Sequence, residues 1–234
     1  MNNIGDIGAK VRPLNYVERG VAIELEWPSN YIVWDLETTG IDHKTCHIVE
    51  IGAAVVEGGQ VQQTYQWILD NEVPIPEEAA AIHGITNEMV AEEGRDPKQC
   101  LSEFLDLLNP GNQPHITHNG YRFDIPWIIH HITTILGGDE DELRRLLHDT
   151  MIDTAAMVKG AKLGLQRGYN ESTLQYAIRV MNIMAKGVKY NVSDTCDELG
   201  IDTEGITTHR AGGDVLLTNE IYKRLVNPIM RTTS

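Results

Sequence analysis

Apolar and polar residues change their period along the chain, and the changes mark out its elements. Tyr31-Ile-Val-Trp-Asp-Leu-Glu37 is a β-branched and aromatic run that stops at Gly40, which predicts a first strand. His47–Val56 and Gln60–Leu69 flank Gly58-Gly59, the pattern of a hairpin. In the third strand Val61, Tyr65 and Trp67 alternate with glutamines, so one face is expected to be wet. Beyond Pro74 the period becomes helical, with helices expected near 77–82, 87–93 and 97–108, the last ended by Asn109-Pro110-Gly111. A short strand, 115–118, leads through Asn119-Gly120 into a helix over 123–136 closed by Gly137-Gly138. Further helices are expected at about 139–147, 153–160, 171–185, 193–199 and 210–226. Strands first and then strand–helix alternation predict an α/β fold, a mixed sheet with helices packed on it. Residues 1–30 are polar, carry glycines and end in Trp27-Pro28-Ser29-Asn30, and so read as a leader to a domain spanning 31–234.

Composition narrows the function classes. The 234 residues hold 34 Asp+Glu against 19 Lys+Arg, a net charge of -15, which excludes a protein that coats long nucleic acid by bulk electrostatics. Cys46, Cys100 and Cys196 form no CxxC pair and are expected to be buried thiols in a reducing compartment. The charged first 30 residues and the lack of a long apolar run lead to the expectation of a cytoplasmic protein with no membrane partner.

The candidate chemistry is acidic. Asp35 and Glu37 stand two apart on the first strand, so their carboxylates project from one face, half of a metal site or simply a polar strand end entering a turn. Asp124 at the head of an apolar helix reads locally as an N-cap, with Pro126 in the first turn. Asp214 follows His209 by five residues; because positions five apart on a helix differ by about 140°, His209 has to lie off the helix for the two to converge.

Taken in order, Asp35-Leu-Glu-Thr-Thr-Gly40, His118-Asn-Gly-Tyr-Arg-Phe-Asp124 and His209-Arg-Ala-Gly-Gly-Asp214 resemble the three signature motifs of the DEDDh 3′→5′ exonucleases, the DnaQ-like family of the ribonuclease-H-like superfamily. Ile48-Val-Glu-Ile-Gly52, His83-Gly-Ile-Thr86, Ile152-Asp-Thr154 and Leu199-Gly-Ile201 extend the likeness over most of 31–226. The resemblance implies a sheet of three antiparallel strands followed by parallel ones. It also implies two Mg²⁺ ions, with Mn²⁺ as a substitute, bridged by Asp35 and held further by Glu37 and Asp214, with Asp124 acting through coordinated water. Two such ions roughly 3.5–4 Å apart neutralise the phosphate and activate water, and hard cations want oxygen donors of this kind. His209, of a type that titrates near neutral pH, is then the general base. The resemblance further implies that amides around Thr38 and Thr39 hold the terminal 3′-hydroxyl and that Ile41 and the His83–Ile85 segment contact the last bases, while Asn119 and Phe123 position Asp124. For Ile41 and His83 a core isoleucine and a capping histidine are equally good readings.

Two features are left over. His115, His118, His130 and His131 read as structural or surface residues. Residues 144–190 hold eight Lys/Arg against three Asp/Glu, and within them Lys159, Lys162 and Arg167 are expected to track the substrate strand unless they are only solvated surface. The segment near 160–192 and the leader look longer than a minimal family domain. The expected function is release of nucleoside 5′-monophosphates from single-stranded DNA 3′ ends, in proofreading or repair and with a DNA polymerase as a partner. RNA or short-oligonucleotide trimming is the alternative, and a non-catalytic nucleic-acid-binding module the rival from another class.

Overall fold

The structure is a computed structural model and describes residues 27–108, 113–206 and 209–226. Five strands, β1 (Tyr31–Thr38), β2 (Ile48–Glu57), β3 (Gln60–Ile68), β4 (His115–Thr117) and β5 (Met151–Asp153), form one sheet in the order β3-β2-β1-β4-β5. β1 pairs antiparallel with β2 and parallel with β4, and β4 pairs parallel with β5, the expected mixed sheet. Helices α1 (Glu77–His83), α2 (Asn87–Glu93) and α3 (Pro97–Leu108) follow the hairpin, then α4 (Asp124–His131), α5 (Glu140–Asp149), α6 (Thr154–Lys162), α7 (Thr173–Met181), α8 (Val192–Leu199) and α9 (Ala211–Val226).

The pleat of β1 decides where the chemistry goes. Its even positions, Ile32, Trp34 and Leu36, enter the larger core with Phe104, Ile128 and Ala156. Its odd positions, Tyr31 and Val33, pack with Ala54, Val56, Val215 and Tyr222, on the side covered by α9. Asp35 and Glu37 continue that odd row, so the carboxylates emerge on the α9 side of the sheet. At the other end of the row Tyr31 Oη donates to Asn219 Oδ1 (2.8 Å), which ties α9 down along its length.

The structure departs from the expected elements in four places. β5 was not foreseen, because three residues are too short to show a period and its identity comes from pairing with β4. The helix expected over 123–136 becomes α4 followed by a π-helical turn, Ile132–Leu136, where the Thr133 and Thr134 hydroxyls donate to the Ile129 and His130 carbonyls and compete with the backbone ladder. α7 stops at Met181 rather than 185, because Lys159 and Arg122 take the Met181 carbonyl (3.1 and 2.7 Å) and Lys159 also takes that of Ile183 (2.8 Å). β3 is an edge strand exposed on both faces from Gln60 to Thr64, and only Trp67 and Ile68 reach the core.

Of the leader, residues 1–26 lie outside the described residues, as do 109–112, where the turn ending α3 was expected. Trp27 packs edge-on against Tyr222 (6.3 Å), and Pro28 and Ser29 carbonyls accept bonds from Tyr222 Oη and Gly59 N. Trp27, Pro28 and Ser29 therefore pack with the fold. Cys100 and Cys196 are buried as expected, whereas Cys46 is half-buried. Among the described residues no helix is long and apolar enough to cross a membrane.

Candidate active site

β1 and β4 run parallel, so both deliver their carboxyl ends to the same edge of the sheet, and the site is assembled there. Asp35 and Glu37 leave the end of β1, and Asp214 descends on them from the first turn of α9. Single carboxylate oxygens of the three lie within 4.8 Å of one another. Asp124, 2% exposed, sits at the start of α4 with its Oδ1 accepting from Leu36 N (3.2 Å) and stands outside that trio. It is not an N-cap: the cap position is Phe123, without a side-chain bond, and Asp124 is bonded to β1 instead. Phe123 packs on Trp127 (5.6 Å) and so sets the entry into α4.

His209 precedes α9, as convergence with Asp214 requires. Its backbone is left-handed (φ 57°) and its N–H donates to Asp214 Oδ2 (3.2 Å), while the side chain is exposed beside the acids. The loop is fixed by a residue that sequence reasoning noted without a role. Glu50, fully buried, lies directly opposite Glu37 across β1 and β2, a like-charge pairing that is unfavourable on its own. Arg210 resolves it, with Nη2 and Nε donating to Glu50 (2.7 and 3.2 Å), and Ala211 N and Gln66 Nε2 donate to the same carboxylate. The pair joins β2 to the residue between His209 and α9. Its signal in the sequence was a glutamate inside the apolar run Ile48–Ile51, where an unpartnered charge is costly.

Gly52, opposite Asp35, lets α9 come this close. A Cβ there would stand 2.4 Å from the Ala211 carbonyl carbon and 2.6 Å from its oxygen, backbone atoms that yield only if α9 moves. Gly52→Ala is therefore expected to destabilise the protein by about 1–3 kcal/mol and to lower activity more than stability requires, because α9 carries Asp214. Urea midpoints and initial rates on the same preparation check this, and a variant with normal rates contradicts it.

Asp153 does for the second motif what Glu50 does for the third. Its carboxylate accepts from Asn119 N (3.0 Å) and Tyr121 N (3.2 Å) while capping α6 through Ala156 N (3.2 Å). Asn119 is thereby held left-handed (φ 67°), a conformation that asparagine tolerates better than most residues, and the chain turns into Asp124. His118, on the same loop, bonds Thr154 Oγ1 and the Tyr190 carbonyl, and His115 bonds Trp34 Nε1 and the Leu147 carbonyl, so both are structural. His131 is buried and half-buried His130 stands beside it, with ring centroids 5.4 Å apart.

The expected substrate contacts divide. Ile41 is 94% exposed on the loop after β1 and is free to meet a ligand. Thr38 Oγ1 donates to the Gly40 carbonyl. The Thr39 amide is committed to the His47 carbonyl (2.9 Å) and its hydroxyl accepts from His47 N (2.9 Å), so this amide closes the loop and does not stand free for a 3′-hydroxyl. Ile85 is wholly buried with Val49, Ile75 and Ala79, and its side chain has no surface to offer a base. His83 is 3% exposed; Nδ1 accepts from Ile85 N, and Nε2 is buried without a partner. The basic track is overturned as well. Lys159 is buried and caps α7, and Lys162 pairs with Glu198 (2.6 Å) and the Lys189 carbonyl (2.5 Å). Arg167 lies over the Trp27 ring (5.8 Å). These cations hold the 160–192 segment onto the domain.

The acids are electrostatically incomplete. Burial, and then repulsion from Asp124, Asp214, Glu37 and Glu50, hold Asp35 well above the carboxylate range. Burial and repulsion from Asp214, Glu50 and Asp124 push Glu37 up to about 8. Asp124 is pushed up to about 7, mainly by burial, and Asp214 is raised by burial although His209 opposes. These groups hold protons more tightly folded than unfolded, so stability is lost as pH rises through the raised values. Without divalent cations the melting temperature is expected to fall by roughly 5 °C from pH 6.5 to 8.5. That window lies above the one in which the buried neutral His115 and His131, both lowered to about 4, would act with the opposite sign. Saturating Mg²⁺ is expected to remove the dependence; a flat metal-free profile contradicts the reading. Three half-buried oxygen donors that repel one another fit a hard divalent cation.

A mixed sheet with acids at the carboxyl edge of its central strand, completed from the last helix, is the architecture of the ribonuclease-H-like superfamily. The family model described as Exonuclease matches residues 32–222, and the chain belongs to that family, as a DEDDh-type member. It is 27% identical to DNA polymerase III PolC-type of Thermotoga maritima over 85% of this chain and 12% of that protein. It is 27% identical to DNA polymerase III subunit epsilon of Haemophilus influenzae over 83% of this chain and 66% of the relative. With Exonuclease DPD1, chloroplastic/mitochondrial, of Arabidopsis thaliana the identity is 32% over 92% and 63%. The chain thus spans from an eighth to two thirds of these relatives. Its fold is similar to that of part of E. coli Exonuclease I in complex with a dT13 oligonucleotide, with a TM-score of 0.67 over 87% of this chain and 42% of the other at 15% identity.

Proposed function

We propose that the protein is a divalent-metal-dependent 3′→5′ exonuclease that removes nucleoside 5′-monophosphates from single-stranded DNA ends. The observation that carries this is the convergence of Asp35, Glu37 and Asp214 within 4.8 Å, with Asp124 bonded to the strand between them. Asp35, Glu37 and Asp214 would hold the metal, Mg²⁺ or Mn²⁺, and Asp124 would orient water bound to it. When bound, the metal supplies charge neutralisation at the scissile phosphate and lowers the pKa of water.

The chain's own residues supply the rest. Asp35 and Glu37 enter from the sheet and Asp214 from α9, so closure of the cluster depends on the β2–α9 contact at Gly52. His209, exposed beside Asp214, takes the proton of the attacking water. Ile41 presents an apolar surface to the terminal base, and Asn119 and Phe123 set Asp124. DNA is favoured over RNA because two of the relatives are DNA polymerase III proteins and a structure of similar fold is a complex with a DNA oligonucleotide. A DNA polymerase is the partner proposed on the same grounds.

The test is a time course on 5′-labelled single-stranded DNA and RNA of matched sequence, with and without chelator. Stepwise shortening of DNA that chelator stops supports the reading. Shortening of RNA alone replaces the substrate, and binding without shortening replaces the activity with a binding module.

A further inference from the structure

An open cavity of about 310 Å³ lies beside the start of α4, lined by Tyr121, Arg122, Arg144, His148, Asn182 and the first turn of the helix at Ile125 and Pro126. Among the described residues no carboxylate lines it, although the chain holds 34 acids and 19 bases. The partners of Arg122 are neutral: Nη2 donates to the Met181 carbonyl (2.7 Å) and to Asn182 Oδ1 (3.1 Å). The guanidinium has donors left over. Arg144, from α5, uses Nε and Nη2 on the single oxygen Glu140 Oε1 in an exposed pair, an arrangement of little strength.

Positive charge is therefore concentrated here, with Arg122 bonded only to neutral groups and Arg144 to one exposed carboxylate. Lys159, behind Arg122, is held below its ordinary value by burial and by Arg122. His148 is lowered by burial and by Arg144, with Asp149 opposing. An anion in the cavity would relieve both repulsions. Guanidiniums arriving from two elements, with Tyr121 and Asn182 as further polar groups, suit the tetrahedral oxygens of a phosphate. The cavity is also close to the acids. Arg122 is two residues from Asp124, so their Cα atoms are within about 7 Å. Ile125 and Pro126 turn about 100° and 200° away from Asp124, so the cavity lies round the helix start from the cluster.

We propose that this cavity is a phosphate subsite that holds the backbone of the nucleic-acid strand upstream of its 3′ end. It rests on the exonuclease reading for the identity of the strand, but not for the phosphate chemistry. It takes the role that Lys159 and Lys162 are too buried to play.

The test uses fluorescein-labelled twelve-nucleotide thymidylate on Asp35→Asn protein, in which turnover is blocked. Arg144→Ala and Arg122→Gln in that background are each expected to weaken binding several-fold and to flatten the slope of log K against log[salt] by about 0.7. In otherwise native protein Arg144→Ala leaves dinucleotide hydrolysis unchanged. Arg122→Gln also perturbs the end of α7, so Arg144→Ala, on an exposed helix face, is the deciding variant. A second arm compares melting temperatures in millimolar inorganic phosphate and in chloride of equal ionic strength. If phosphate stabilises the native protein, Arg144→Ala abolishes that gain and strand binding is unchanged, the subsite exists but serves a free phosphate or nucleotide. If Arg144→Ala changes neither strand binding nor a phosphate effect, the proposal is overturned. Native protein that hydrolyses no strand but still shows the phosphate effect removes the exonuclease reading and leaves the subsite.

Discussion

Asp35→Asn is expected to reduce hydrolysis by about 10³-fold or more while raising the melting temperature of the metal-free protein. The two effects have one cause. Asp35 stands among the other acids, and its pKa is raised by burial and then by Asp124, Asp214, Glu37 and Glu50. Replacing it with a neutral isostere removes repulsion from the metal-free protein and a donor from the proposed cation site. Metal catalysis of this kind supplies several kcal/mol, and about 1.4 kcal/mol is tenfold in rate. Initial rates in saturating Mg²⁺ and thermal melts in chelator measure the two halves. A variant that melts lower in chelator would make Asp35 a packing residue, and one with near-normal rates would remove the metal reading.

His209→Ala is expected to lower kcat by about 10²–10⁴-fold with little change in strand affinity, and to abolish the acid limb of the pH–rate profile. Because His209 is left-handed (φ 57°) and its amide is bonded to Asp214, alanine also strains the loop. His209→Asn controls for this, since asparagine accepts the conformation readily. Equal losses in both variants identify the imidazole as the base, whereas recovery in the asparagine variant identifies the residue as a positioning element for Asp214.

These residues could be found in the sequence because each is anomalous in its local pattern. Asp35 and Glu37 interrupt an apolar strand, and the two-residue period alone puts them on one face. The five-residue gap between His209 and Asp214 already demanded that His209 lie off the helix, and α9 begins at Ala211. The hairpin, the mixed sheet and α3 were legible for the same reason: periods sustained over eight or more residues report which face is buried. β5, at three residues, carries no period and exists only through its register with β4.

Charge was where local reading failed. Lys159, Lys162 and Arg167 look like a substrate track in one dimension, since spacing does not say whether a long side chain lies on the surface or caps another helix. Glu50 and Asp153 were visible as acids in apolar runs, but their partners, Arg210 160 residues away and the Asn119 amide 34 residues away, were not. The amino-acid pattern by itself determined which side of the sheet carries the acids and the order in which the three motifs arrive. Only the tertiary structure decided which charges face inward and what holds the motifs in register, because burial and pairing are properties of elements brought together and not of the intervals between residues along the chain.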